Sequence, residues 1–433
     1  MKQVLPFFIT ITLASWTLAQ DVIELSFWTE WSADPTRTIG ETLIAKFNEE
    51  HPNIRVTHRP IENEQFFTVL RTGFTSGEPP DVFQHEANNN LLQFVVPGEV
   101  EDISDWYAAN GDRFQPGTDA AISYDGKQYG VPTGIATGTQ IYYNAALLEE
   151  NGIDPKALQT WDDYLAAFEK LKAAGVTPIA YANKFGWPGS QWFYAFLTRW
   201  VGAEKVNQLV ARNCGYAWTD PDIVEAAQLY VDLADKGYFS SGMASDDYPQ
   251  ATAIFFAGRA AFFHTGSWFI GETAADMPEG FALGMNRFPD IEGGKGNTDT
   301  FMAVLGGYAI SKKGAEDPAK REAALTFIDW MTQVPQAQEF VKGAGSMSTV
   351  EGAVTPEVAD PLVLQIIEEQ INGNTGAVGF LEHVTPKAVG EDAIWMGSVG
   401  VLRGQLTAQT WMESVEEAAA AEAPTLVLEP ACE

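Results

Sequence analysis

The chain has 433 residues, 45% of them apolar and 12% aromatic. That excludes a disordered chain and supplies enough apolar residues for two sizeable cores. Its 58 acidic residues against 26 basic ones give a formal net charge of −32, a field that repels nucleic acid and anionic membrane and excludes both as partners. So acidic a surface suits salty surroundings, which screen its self-repulsion.

Residues 1–20 read as a secretory signal peptide: a basic Lys2, an uncharged apolar stretch from Val4 to Leu18, and a small Ala19 near its end. The expected cut lies near Ala19 or Gln20. No cysteine stands there to carry a lipid anchor. No other apolar run reaches the roughly 18 residues of a membrane span, so a soluble mature protein is expected. Cys214 and Cys432 are the two cysteines. An oxidising compartment would allow them to pair, but the sequence leaves open whether they meet.

Ile23 to Trp28 alternates as a strand does. Thr36 to Glu50 reads as a helix with Ile39, Leu43, Ile44 and Phe47 on one face, stopped by His51-Pro52-Asn53. Ile54 to Thr57 is a second strand, Phe66 to Ser76 a second helix, and Asp81 to Gln84 a short buried strand. Alternation at this spacing predicts an α/β architecture with a parallel sheet. Lys127 to Pro132 and Ile141 to Tyr143 form two extended segments around a Gly/Thr-rich link, because Pro132 holds its predecessor out of the helical region. Asn144 then opens a helix.

From Trp161 the chain turns mostly helical. Thr160 caps a helix from Trp161 to Ala174, and further helices are predicted at 191–201, 221–235 and 248–257. Phe301 to Ile310 is again strand-like, followed by helices at 320–333, 335–342, 361–372 and 389–405.

The run Lys127-Gln128-Tyr129-Gly130-Val131-Pro132, followed by Ile141-Tyr142-Tyr143-Asn144, closely resembles the inter-lobe crossing of sugar-binding proteins of bacterial ABC importers, the maltose-binding-protein family of extracellular solute-binding proteins. Phe301 to Ile310 resembles that family's return crossing, and the likeness covers nearly the whole mature chain. It implies a two-lobed periplasmic-binding-protein fold, each lobe a sheet flanked by helices, with the ligand in the cleft between them. Lobe one would comprise 21–133 plus 304–345, lobe two 134–303 plus 346–424, and 425–433 a C-terminal tail. It also implies a periplasmic carbohydrate-binding subunit that captures a sugar by hinge closure and delivers it to the permease subunits of an ABC importer, acting as a monomer without a cofactor or metal.

A sugar site needs flat aromatic platforms and fixed hydrogen-bonding groups, and the chain has 13 tryptophans. Trp28, Glu30 and Trp31 lie at the carboxyl end of the first strand, where open α/β sheets bind ligands. The competing reading puts Trp28 in the core. His85, Glu86 and Asn88 follow the Asp81-Val82-Phe83 strand, where the resemblance implies polar ligand contacts. Phe185 to Trp192 reads as a Gly/Pro loop running into a helix; Trp187 and Gln191 are its candidates and Trp192 its core residue. Gly266-Ser267-Trp268 matches the family's strand end, which implies that Trp268 stacks on the sugar, with Gly266 letting the backbone approach the ligand. Asp392 and Trp395, spaced i, i+3 at a late helix start, are expected to share a face. Gly306 and Gly307 serve either the ligand or the hinge.

Two other classes remain in view. Carboxylates such as Glu30 and Glu86 are the raw material of glycoside hydrolysis, but acidic residues are too abundant here for a pair to carry weight, and no nucleophile-elbow, zinc-protease, P-loop or dinucleotide signature occurs. The same fold could carry a polyol or a ferric ion. Tyr142-Tyr143 superficially fits an iron carrier, but the pair lies in the crossing and precedes Asn144, as in sugar binders.

Overall fold

Strong local signals fix the first strands and helices. The computed structural model describes residues 22–212, 214–372, 376–422 and 432. The expected signal peptide, and the tail except Cys432, lie outside the described residues. Strand β1 (Ile23–Thr29) buries Leu25 and Phe27, and the helix Thr36–Glu50 buries Leu43, Ile44 and Phe47. β2 (Ile54–Pro60) pairs parallel to β1 with Leu25 opposite Val56, and β3 (Val82–Glu86) pairs parallel on the other side with Phe27 opposite Val82. The helix Asn63–Thr75 between β2 and β3 buries Phe66, Leu70 and Phe74. These parallel strands with crossover helices are the predicted architecture.

The crossing is more continuous than the sequence suggests. A two-stranded hairpin of β4 (Ser123–Tyr124) and β5 (Lys127–Gln128) precedes β6 (Val131–Thr137), which absorbs most of the Gly/Thr-rich link. Backbone pairing on both sides stabilises this glycine-containing segment despite its weak strand propensity. β7 (Gln140–Asn144) follows at once and belongs to a different sheet. That second, four-stranded sheet runs β10 (Leu283–Arg287), β7, β9 (Ala260–Thr265), β8 (Thr177–Ile179). The chain returns along β11 (Thr300–Ile310), which lies antiparallel to both β6 and β3. With β12 (Met347–Ser348) on β6 and β13 (Gly376–Gly379) on β11, the first sheet has seven strands. It is therefore mixed rather than parallel, because one strand leaves for the second sheet and another comes back.

Asn144 caps the helix Ala145–Glu150 by accepting from the Leu147 amide, and Thr160 with Asp163 forms a capping box on the helix Trp161–Ala173. Beside the second sheet, Trp161, Trp192, Phe196 and Phe288 pack together mostly edge to face, with Trp161 stacked on Phe288 and the Trp161 and Phe196 rings 4.9 Å apart. The buried Arg199 ties this core to the start of β11, donating to the carbonyls of Thr300 at 2.8 Å and Phe288 at 3.1 Å. Cys214 and Cys432 form a disulfide across 218 residues of sequence.

Candidate functional site

Where the two sheets meet, a cavity of about 940 Å³ opens, near the upper end of the size range of small-molecule sites. Of the sequence candidates, Glu30, Trp31, Glu86, Trp187, Gln191, Trp268 and Trp395 line it; Trp28, His85, Asn88 and Asp392 do not.

One wall comes from the strand ends of the first sheet. Glu30 follows β1 and is clasped by Gln84: the Glu30 amide donates to Gln84 Oε1 at 3.1 Å, and Gln84 Nε2 donates to Glu30 Oε1 at 2.7 Å. Asn63 Nδ2 donates to the other carboxylate oxygen at 3.1 Å. Glu86 ends β3 and receives His383 Nε2 at 2.9 Å and Asn90 Nδ2 at 3.0 Å. Trp31 is 8% exposed and wedged against Phe27, Tyr308 and Phe340, so it shows the cavity little of its ring.

The facing wall is aromatic. Trp187 packs 5.1 Å from Tyr248 and 6.0 Å from Trp268, and Trp268 lies 6.2 Å from Phe380. All four rings line the cavity, as do Trp395 and Gln191. Trp187 is not in a loop, as the Gly/Pro composition predicts, but opens the helix Trp187–Val201. Pro188 suits a first helical turn, where its missing N–H has no partner to lose. Gln191 stands one turn on from Trp187 and shares its face. Gly186, with φ of +89°, is needed here: a side chain on it would reach within 2.6 Å of the Trp395 backbone. Ser398 locks the junction, donating to the Trp395 carbonyl at 2.6 Å and lying 3.2 Å from the Gly186 carbonyl, while Asn183 donates to Ser398 Oγ at 2.9 Å. Gly266 makes room for the Trp268 ring, since a Cβ there would collide with that ring.

Four candidates fall elsewhere for physical reasons. Trp28 lies under the Arg59 guanidinium at 4.3 Å and against Gly73 of a flanking helix. Strand alternation puts Gln84 and Glu86 on one face of β3 and His85 on the other. The His85 ring is fully buried against Gly130 and Gly307, and burial lowers its pKa to about 4. Asn88, at φ of 60°, turns the chain into the helix Asn89–Val95. Asp392 points outward to Lys387. The stretch Ala388–Trp395 is π-helical, so the α-helical i, i+3 alignment fails and Glu391, at i−4, joins Trp395 at the cavity instead.

Sequence reasoning missed Glu382 and His383, on the short helix Leu381–Val384, and Arg71, which approaches Glu391 at 3.5 Å. Nothing periodic marks Glu382 and His383 in the sequence; they arrive through the pairing of β13 with β11. The β3 alternation did carry a usable signal for Gln84.

Burial and the neighbouring Glu86 push Glu30 up to about 8, against weaker help from Gln84, His383 and Asn63. Burial disfavours a charge on His383, but Glu86, Glu382 and Glu30 outweigh it and lift its pKa to about 9. Burial also works against an ionised Glu86, yet His383 and Asn90 hold it below its ordinary range. Burial raises Glu382, opposed by His383. No group of three or more His, Cys, Asp or Glu among the described residues is arranged to hold a metal ion. Tyr142, a feature of the iron reading, donates its hydroxyl to the Gly266 carbonyl at 3.1 Å.

A cavity at the junction of two sheets joined by crossing strands defines a two-lobed binding protein. The chain belongs to the bacterial extracellular solute-binding protein family, whose model matches residues 42–364. An uncharacterised ABC transporter extracellular-binding protein of Pyrococcus horikoshii is 23% identical, the match covering 85% of this chain and 80% of that one. The multiple sugar-binding protein of Streptococcus mutans is 25% identical over 72% of this chain and 71% of its own. A solved chitin oligosaccharide binding protein superposes with a TM-score of 0.84 at 25% identity, covering 93% of this chain and 99% of that one. No helix among the described residues is long and apolar enough to cross a membrane.

Proposed function

We propose that this chain is the carbohydrate-binding subunit of an ABC importer, exported to the periplasm and acting by capture rather than catalysis. The observation that carries this reading is the aromatic wall of Trp187, Trp268 and Trp395 facing Glu30 and Glu86 across one cavity. The apolar C–H face of a pyranose stacks on such rings while its hydroxyls bond the carboxylates and the Gln191 amide. Glu30, largely protonated at neutral pH, donates a hydrogen bond to a hydroxyl, and Glu86 accepts one. Residues 21–133 with 304–345 and 134–303 with 346–424 serve as the two lobes, β6 and β11 as hinge strands. Sugar bridging both walls shifts the population to a closed form, which docks on the permease. The mature chain works as a monomer and begins near Gln20 or Asp21, which intact mass of the secreted protein checks.

A thermal-shift screen against mono-, di- and oligosaccharides, polyols and ferric salts tests the reading, because a ligand of the native state raises the melting temperature by mass action. A clear shift with a sugar and none with iron is expected. A response to a polyol or metal alone sinks it.

A further inference from the structure

Closing this cleft has to overcome charge. The chain carries a formal net charge of −32, so bringing two acidic halves together is opposed by their repulsion. At the rim of the cavity the sequence counters this locally. The helix Asn63–Thr75 packs Leu70 and Phe74 into one core with Phe83, whereas Val384, Val389 and Ile394 belong to another with Trp411. Among the described residues, Arg71–Glu391 and Glu86–His383 are the ion pairs that join the first of these cores to the second. Glu86 and His383 belong to the polar wall. Arg71 and Glu391 line the cavity yet keep 22% and 21% of their side chains exposed, so their 3.5 Å contact lies at its mouth. Elsewhere along the cavity the halves meet by apolar packing: Ile270 shares a core with Val341, and a Cβ on Gly271 would fall 1.8 Å from the Ala344 carbonyl oxygen. Salt does not screen that joint, but it does screen a partly exposed ion pair.

We propose that Arg71 and Glu391 form a charged clasp across the cavity mouth, which parts to admit a sugar, re-forms behind it and slows its escape. This rests on the reading of the chain as a two-lobed carbohydrate binder and adds the contact that controls release. Glu391 stands four residues before Trp395 on the same π-helical stretch, Ala388–Trp395. The clasp therefore also ties the segment that carries a cavity ring to a helix of the opposite wall, which makes Arg71 and Glu391 positioning residues. Glu391 has a second cation on its own segment, Lys387 at 3.8 Å. Removing Arg71 thus leaves Glu391 with a counter-charge, and the packing of neither core depends on the pair. A partly exposed ion pair is individually weak, which suits a contact that must break at every round of capture and release.

The test measures association and dissociation rates on the full mature protein for whichever of chitotriose, xylotriose, maltotriose or raffinose binds it tightest. The rates are taken at about 0.01 M and about 1 M salt, between which the screening length falls from about 30 Å to about 3 Å. Arg71→Ala and Glu391→Ala are each expected to weaken binding about threefold to fivefold at low salt, through faster dissociation, with the difference from the native chain vanishing at high salt. The double variant should bind no more weakly than either single one, and the midpoint of chemical denaturation without sugar should not move. A loss of affinity that persists at high salt means direct contact with the sugar, and a loss of stability means a role in the fold. Either result overturns the inference, as does unchanged binding in both variants, and all three leave the carbohydrate reading standing. If neither these four nor any other sugar of the thermal-shift screen binds, that reading fails, and small-angle scattering of the sugar-free protein decides the clasp by itself. Arg71→Glu should then show a larger radius of gyration than the native chain at low salt and the same radius at high salt; equal radii at low salt overturn the clasp.

Discussion

The two walls of the cavity are held by different physics. On the first-sheet side the two central carboxyl groups are tied by directional bonds: Glu30 by Gln84 and Asn63, Glu86 by His383 and Asn90. On the other side Trp187, Trp268, Tyr248 and Phe380 hold one another by ring packing, and Trp395 Nε1 and Gln191 Oε1 are left without partners among the described residues. On the proposed reading, the polar wall is pre-organised and selects among sugar hydroxyls. On the same reading, the aromatic wall supplies contact area. On this account affinity comes mainly from the rings and selectivity mainly from the carboxylates.

The largest effect should come from the rings. Trp268→Ala is expected to weaken binding of the best sugar by about a hundredfold or more, the scale of a buried aromatic hot spot, with the fold intact by circular dichroism. Calorimetry that returned wild-type affinity would break the division of labour between the walls. Next, Gly186→Ala should cost about 2 kcal/mol of stability, since it forces a side chain into a left-handed position against the Trp395 backbone. Chemical denaturation reads that loss, and the displaced Trp395 should lower affinity in parallel.

The polar wall is probed through pH. Between its ordinary 4.5 and about 8, native Glu30 keeps a proton that the unfolded chain has lost, so its contribution to stability falls as pH rises. His383, raised from 6.5 to about 9, adds a loss between those values. His85 and His264, lowered by burial to about 4 and about 3, act oppositely, adding stability as pH rises towards 6.5. Stability, and with it the melting temperature, should therefore peak near pH 6.5; on the alkaline side the unfolding free energy falls by roughly 1.4 kcal/mol per pH unit for each fully coupled group. Glu30→Gln should make the fall between 6.5 and 8 shallower, and a scan by differential scanning fluorimetry that showed the same slope would remove Glu30 from the account. The smallest effect sharpens the boundary of the site: Asp392→Asn should leave affinity within about threefold, as an exposed ion pair is worth little.

Much of the scaffold was legible because local signals were strong. The helices Thr36–Glu50 and Pro221–Asp235 begin and end where the apolar stripe and the flanking prolines put them. Trp187 and Trp268 could be singled out because tryptophans beside glycine in predicted connecting segments are conspicuous, and Trp395 because its late helix start resembles the family's. The polar wall was only half legible. Its members are brought together by β3, β11 and β13 pairing across large sequence separations, which leaves no trace in any window of residues. His85 and Asp392 lie off the cavity for a simpler reason: residue type alone does not say which face a strand or a π-helical turn presents.

The most direct test is calorimetric titration of the mature protein with the sugar that gives the largest thermal shift, repeated on Trp268→Ala and Glu86→Gln. The account predicts a single site, a negative heat-capacity change from buried apolar faces, and clear loss of affinity in both variants. Undiminished binding in both would place the sugar outside this cavity and contradict the account at its centre.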